Sequence, residues 1–261
     1  METVGVNVTH DASFCRCVNG EIDMFLEEER LSRKKHDNMP VKTVMELQEN
    51  NFAGVTGLEY HDYSLRDTCN FFDVIFRKKI PDHDYRTYNQ HHYLHACCGF
   101  YNSGFEEADV VVVDGLGNFF DEEHHECATR WHIKKPAEIK LLERQGASRF
   151  GTKTDRHGYW PMGVGMAYAS ISDYLGFGQL GSGKVMGLAP YGKEDPNIKP
   201  FVIDGRVNSK LFYRTKYSAN FIPYDYLPEE VNIKDQRFMN LAYRLQKDFE
   251  KWMTDFILKC E

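Results

Sequence analysis

The chain has 261 residues, 42% of them apolar and 14% aromatic, enough to bury a sizeable core and too many for a disordered polymer. Its 32 basic and 39 acidic residues give a net charge of -7, which excludes a generic nucleic-acid binder; a polyanion would need a local basic patch. No apolar run approaches the roughly 20 residues of a membrane helix and Met1 to His10 lacks the features of a signal peptide, so the expectation is a cytoplasmic protein without a membrane partner.

Val4 to Thr9, Ser13 to Val18 and Glu21 to Glu28 are β-prone runs separated by His10-Asp11 and Asn19-Gly20. Asn-Gly is a strong hairpin-turn signal, so three antiparallel strands are predicted to open the chain. In the first turn, the hydroxyl of Ser13 and the imidazole of His10 could face phosphates or a transferred group, and the same residues also suit an ordinary Asx-type turn. The charged run Glu27 to Arg30 with Arg33 to Asp37 reads as a solvated surface, although a lysine there could neutralise phosphate.

Pro40 to Asn50 reads as a helix with Val41, Val44, Met45 and Leu47 on one side, and Val55 to Tyr60 as a further strand. Helix and strand alternate, which predicts an α/β fold. His91 to His95 opens a helical stretch, where residues four apart share a face, so His91 and His95 can point at one metal while His92 points elsewhere. Asp109 to Asp114 is an apolar strand of the kind buried on both faces, running into Gly115-Leu116-Gly117.

Asp114 stands at that strand end, where open α/β sheets place ligand sites, and supplies a third donor. Two imidazoles and a carboxylate suit ferrous iron or zinc and leave open positions for substrate oxygens; the alternative is that the histidines only cap or pack a helix. Gly115 and Gly117 offer backbone N–H groups to phosphate, or form an ordinary turn.

Two patterns are set aside. Gly178 to Lys184 has the glycine-lysine core of a phosphate loop, but Val185 stands where magnesium coordination needs a hydroxyl and no apolar strand immediately precedes it. Asp121 to Cys127 is read as an exposed polar loop rather than a metal site. The seven cysteines are odd in number and no pair is separated by two residues, so neither disulfides nor a zinc ribbon is expected. Phe238 to Ile257 forms a long amphipathic helix whose apolar stripe is expected to find little cover among the residues after Pro196, so the terminus is expected to be a cut edge.

His10 to Ser13, Glu27 to Arg30 with Ser32 to Asp37, His91 to Ala96, Val113 to Gly117 and Lys184 to Gly192 together resemble the O-carbamoyltransferases of antibiotic and nodulation-factor biosynthesis, in block order and spacing. The resemblance covers the family's front half, which is similar to the enzyme that makes threonylcarbamoyladenosine in tRNA. It implies an actin/hexokinase-like fold of two ribonuclease-H-like halves, residues 1–108 with the metal-binding helix and 109–261 with the second half incomplete.

By the same resemblance, His91, His95 and Asp114 would hold Fe2+, with Zn2+ or Mn2+ as alternatives. His10 and Lys35 would contact a carbamoyl-adenylate or its phosphate, and Asp11, Ser13, Gly115, Gly117 and Lys184 would lie on the ATP side. The block Lys184 to Gly192 reads equally as a helix and turn that pack the sheet. Carbamoyl phosphate would be cleaved, carbamate would attack the α-phosphate of ATP, and the mixed anhydride would carbamoylate a hydroxyl on a small molecule or nucleotide, nucleic acid entering only as acceptor. The family's later nucleotide motif and carbamoyl phosphate domain would be supplied by a second polypeptide or a further segment docking on the final helix. Two competing functions are a tRNA threonylcarbamoyl-type transferase, which Lys184 to Gly192 disfavours, and a non-catalytic nucleotide-binding subunit.

Overall fold

A computed structural model of the chain describes residues 1–8, 11–49, 57–60, 91–121, 124–148, 161–215, 218–223 and 231–260. Helix and sheet are mixed throughout, and the chain divides into two compact units, Met1–Tyr88 and Asn89–Glu261.

In the first unit β1 (Glu2–Val8), β2 (Ser13–Val18) and β3 (Glu21–Glu27) are antiparallel, as the alternation predicts, with Val4, Val6 and Phe14 pointing into the core. Asn19 and Gly20 both have positive φ (54° and 90°), the signature of the hairpin turn expected from Asn-Gly. β4 (Gly57–Tyr60) then lies parallel to β1, giving the order β3-β2-β1-β4. His10 lies outside the described residues.

Among the described residues, two helices lie between β3 and β4, α1 (Glu28–Ser32) and α2 (Val41–Glu49). The apolar side expected for α2 is only partly buried: Val44 is inside, Val41 and Met45 are exposed, and the side chain of Leu47 lies outside the described residues. Its start is held instead by a charge. Glu28, 1% exposed, accepts hydrogen bonds from the N–H groups of Lys42 (3.0 Å) and Thr43 (2.8 Å), which have no acceptor inside the helix.

The second unit is built on an antiparallel sheet ordered β5-β6-β7, from β5 (Glu107–Val113), β6 (His124–Lys134) and β7 (Glu138–Ser148). On one face α3 (His91–Ser103) packs Ala96 and Phe100 against Val112, Trp131 and Ile133. On the other, Val111, Val113 and Ala128 meet α4 (Val164–Tyr174), α5 (Ser182–Leu188) and α6 (Gln236–Ile257). β5 therefore packs on both faces, but less deeply than its apolar run predicts: Val112 is buried, whereas Val110, Val111 and Val113 are half-buried. Sequence groups α3 with the first half, whereas the helix lies in the second unit beside β5 and β6.

Three expectations are corrected here. The stripe of α6 is not open: Phe238, Leu241, Leu245, Phe249, Trp252 and Phe256 are buried against α4, α5 and the segment around Phe201, Val207 and Leu211. At about 1.5–3 kcal/mol per large apolar side chain removed from water, that burial satisfies the helix within this chain, so the stripe gives no ground for a docking partner. Lys184 to Gly192 forms the expected helix and turn, but its main contacts are with helices: α5 touches α4 and α6, and the following 3-10 turn Ala189–Tyr191 lies on α6. Asp121 to Cys127 is not an exposed loop, because β6 begins at His124 and takes His125, Glu126 and Cys127 into the interior.

Candidate metal centre

The first turn of α3 and the end of β5 meet around three donors. His91 and His95 share a helix face with ring centroids 4.6 Å apart, and His91 Nε2 lies 2.7 Å from Asp114 Oδ2. One ligand atom from each of His91, His95 and Asp114 lies within 4.8 Å of the other two. Small side-chain adjustments close that spread to the ~3 Å separation of ligands on one cation at bond lengths of about 2.1 Å. The donor set, two imidazoles and a carboxylate with His95 exposed to solvent, therefore fits a divalent metal with open coordination positions.

Electrostatics keep the carboxylate ready. Burial would raise the Asp114 pKa, but the His91 hydrogen bond and charge and the Gly115 N–H outweigh it and hold it at about 2. His92 points away from the donors, as helical spacing requires. It is fully buried, with Nδ1 3.0 Å from the Thr129 hydroxyl, which also accepts a hydrogen bond from Trp131 Nε1 (2.8 Å). Burial lowers the His92 pKa to about 4, with Asp114 opposing the fall and His91, His95 and Arg144 adding to it, so the ring is neutral near pH 7.

Backbone contacts tie the end of β5 and its following loop to β6, and one side chain of that loop reaches α3. Asp114 N donates to Cys127 O at 3.0 Å, Gly117 N to Glu126 O at 2.8 Å, and Glu126 N to Asn118 O at 2.9 Å. The Asn118 side chain then accepts from His91 N at 3.2 Å, capping the start of α3. Gly117 is required by close approach: a Cβ there would sit 2.8 Å from His92 Cδ2 and 3.1 Å from Glu126 Cβ. Gly165, in the first turn of α4, lies equally tight on the Asp114 carbonyl, 2.5 Å from where its Cβ would stand.

The expected phosphate-facing N–H groups are engaged internally, Gly117 N with Glu126 and Gly115 N with Asp114 Oδ1 (2.5 Å). Lys184 is exposed on α5, its Nζ 5.8 Å from the centre of the Phe177 ring. A cavity of about 550 Å³, of small-ligand size, opens on the α4–α6 side, lined by Met162, Gly163, Arg206, Trp252 and Lys259 among others. None of the described predicted site residues lines it.

In the first unit, Lys35 is exposed beside a second cluster, Asp11, Glu29 and His36. His36 Nδ1 lies 2.7 Å from Asp11 Oδ1, and its backbone N–H donates to Glu29 Oε2 at 3.2 Å. Ala12 N donates to Asp37 O at 2.9 Å, so the basic loop is tied to the β1–β2 turn. The half-buried Ser13 is paired with Glu27 across β2 and β3.

Sequence reading missed Glu126. Its side chain is 0% exposed and its carboxylate lies 3.0 Å from Arg144 Nε. Burial raises its pKa; the Arg144 guanidinium and the His92 backbone N–H, both facing the carboxylate, oppose the rise, yet neither reaches it in well-aligned hydrogen-bond geometry. Arg144 follows 18 residues later on the neighbouring strand, in register with Thr129 while Glu126 lies opposite Gly146, so the ion pair is a diagonal contact that no local sequence signal announces.

Comparison with known proteins shows which family the chain resembles. The family model described as "Carbamoyltransferase N-terminus" matches residues 55–253, which include His91, His95 and Asp114. Nodulation protein NolNO of Sinorhizobium fredii is 24% identical over 216 residues, covering 72% of this chain and 28% of that protein. Protein sll1178 of Synechocystis is 25% identical over 243 residues, 77% of this chain and 36% of the relative. Nodulation protein NolO of Bradyrhizobium diazoefficiens is 33% identical over 107 residues, 40% of this chain and 16% of its own length. The chain thus spans little more than a third, or less, of the relatives it matches.

Proposed function

This chain belongs to the carbamoyltransferase family through that family's N-terminal domain, and from that premise we propose that it supplies the metal- and nucleotide-binding part of an ATP-dependent O-carbamoyltransferase. The observation that carries the reading is the convergence of His91, His95 and Asp114 at the end of β5, inside the matched region. Two imidazoles with a carboxylate favour Fe2+, with Zn2+ or Mn2+ as alternatives. A divalent cation held there supplies positive charge that offsets phosphate oxygens in the transition state.

In the proposed reaction, carbamate derived from carbamoyl phosphate attacks the α-phosphorus of ATP and pyrophosphate leaves. The acceptor hydroxyl then attacks the carbonyl of the carbamoyl-adenylate, loses its proton and releases AMP. His10 and Lys35 are assigned to the carbamoyl-adenylate and its phosphate, and Asp11, Ser13, Gly115, Gly117 and Lys184 to the nucleotide. For Gly115 and Gly117 this requires exchanging their internal hydrogen bonds for phosphate oxygens. Because the chain spans 28% and 36% of two relatives, the carbamoyl phosphate step is assigned to a further segment or polypeptide. An actin/hexokinase-like fold of two ribonuclease-H-like halves is part of this reading.

The test is ATP binding by equilibrium dialysis, with and without anaerobic Fe2+. Iron-dependent binding that disappears in the His91→Ala, His95→Ala double variant supports the reading; binding indifferent to both would remove it.

A further inference from the structure

Glu126 is a fully buried carboxylate whose hydrogen-bonding capacity is poorly used, and its surroundings tell what it does. Its backbone joins the loop after Asp114 by two hydrogen bonds, to Gly117 N (2.8 Å) and Asn118 O (2.9 Å). Its side chain closes on the same glycine as the first turn of α3: a Cβ at Gly117 would stand 3.1 Å from Glu126 Cβ and 2.8 Å from His92 Cδ2, and the His92 backbone N–H is among the groups that hold the Glu126 pKa down. Arg144 stands 3.0 Å from the same carboxylate and is itself 26% exposed. One residue thus spans the element that carries His91 and His95 and the element that carries Asp114.

Stability is a poor reason for such an arrangement. A buried ion pair recovers its desolvation cost only with good geometry and satisfied lone pairs, and both Glu126 oxygens and Arg144 Nε lack an aligned partner. A negative charge behind the first turn of a helix does interact favourably with that turn's N–H groups and restrains where the helix begins.

We propose that Glu126 is a positioning residue of the metal centre: its carboxylate, steadied by Arg144, sets the first turn of α3 so that His91 and His95 face Asp114. This rests on the metal reading above. Outer groups of this kind commonly alter metal affinity by about 10–100-fold when removed.

The experiment is a titration of the purified chain with Co2+, followed by its visible d–d absorption, alongside thermal unfolding of the metal-free protein. Glu126→Gln keeps the shape and removes the charge. The expected result is Co2+ affinity weakened at least about tenfold, with changed band positions, in a protein that still folds. A lower unfolding temperature with affinity and bands unchanged would mean a merely structural residue and overturn the inference. Should Glu126→Gln fail to fold, Arg144→Gln, at a partly exposed site, carries the same test: weaker Co2+ binding with altered bands supports the proposal, and wild-type behaviour overturns it. A wild-type chain that binds no Co2+ sinks the metal reading itself, and the inference with it.

Discussion

Among the described residues, each unit of this protein buries one glutamate behind the start of a helix, and the two are used differently. Glu28 in the first unit accepts hydrogen bonds at 3.0 and 2.8 Å from Lys42 and Thr43, so its charge is well satisfied by α2. Glu126 in the second unit faces α3 without an aligned hydrogen bond. The same contrast holds for the nearby donor clusters. Asp11, Glu29 and His36 bond with one another and with a loop backbone, whereas His91, His95 and Asp114 are backed by the buried His92, Thr129, Trp131 and Glu126. Both clusters hold metal-binding side-chain types; what separates them is the packed layer behind the second, which can hold donors in place when a cation replaces the His91–Asp114 hydrogen bond.

That difference can be broken experimentally. The largest effect is expected from the His91→Ala, His95→Ala double variant, which should lose Fe2+ or Co2+ affinity by more than the roughly 100-fold typical of outer-group changes, while His36→Ala leaves binding as it was. Metal analysis after gel filtration reads both; equal loss in the two would erase the distinction between the clusters.

Glu28→Ala comes next, in stability rather than in binding. Two charge-assisted hydrogen bonds are removed from a buried site and two N–H groups are left unpaired, so urea unfolding should show a loss of about 2–4 kcal/mol, with metal affinity unchanged. Gly117→Ala should cost about 1–3 kcal/mol, because the added methyl meets the His92 ring at 2.8 Å. It should also weaken Co2+ binding, since His92 follows His91 in the same helical turn. Stability lost with Co2+ binding intact would show that the layer behind the three donors is softer than its packing implies.

Much of this was legible in the sequence because the signals are local. Alternation and Asn19-Gly20 gave the first three strands, four-residue spacing paired His91 with His95, and an apolar run ending in Asp114 located the strand end. What escaped depends on distant partners. His124 to Cys127 reads as polar loop, yet Glu126 is buried because Arg144 faces it from the next strand. The stripe of α6 seemed uncovered because its cover comes from helices rather than strands: α4 went unassigned in the sequence, and α5 was set against the sheet. Gly117 suggested a phosphate turn, while its tightest constraint is the ring of His92.

The most direct test of the proposed metal centre is iron-edge X-ray absorption on the chain loaded anaerobically with Fe2+. The account predicts the outer-shell scattering of two imidazoles together with oxygen ligands, the imidazole signal disappearing in the His91→Ala, His95→Ala variant. An all-oxygen environment, or an imidazole signal that survives the double substitution, would contradict it.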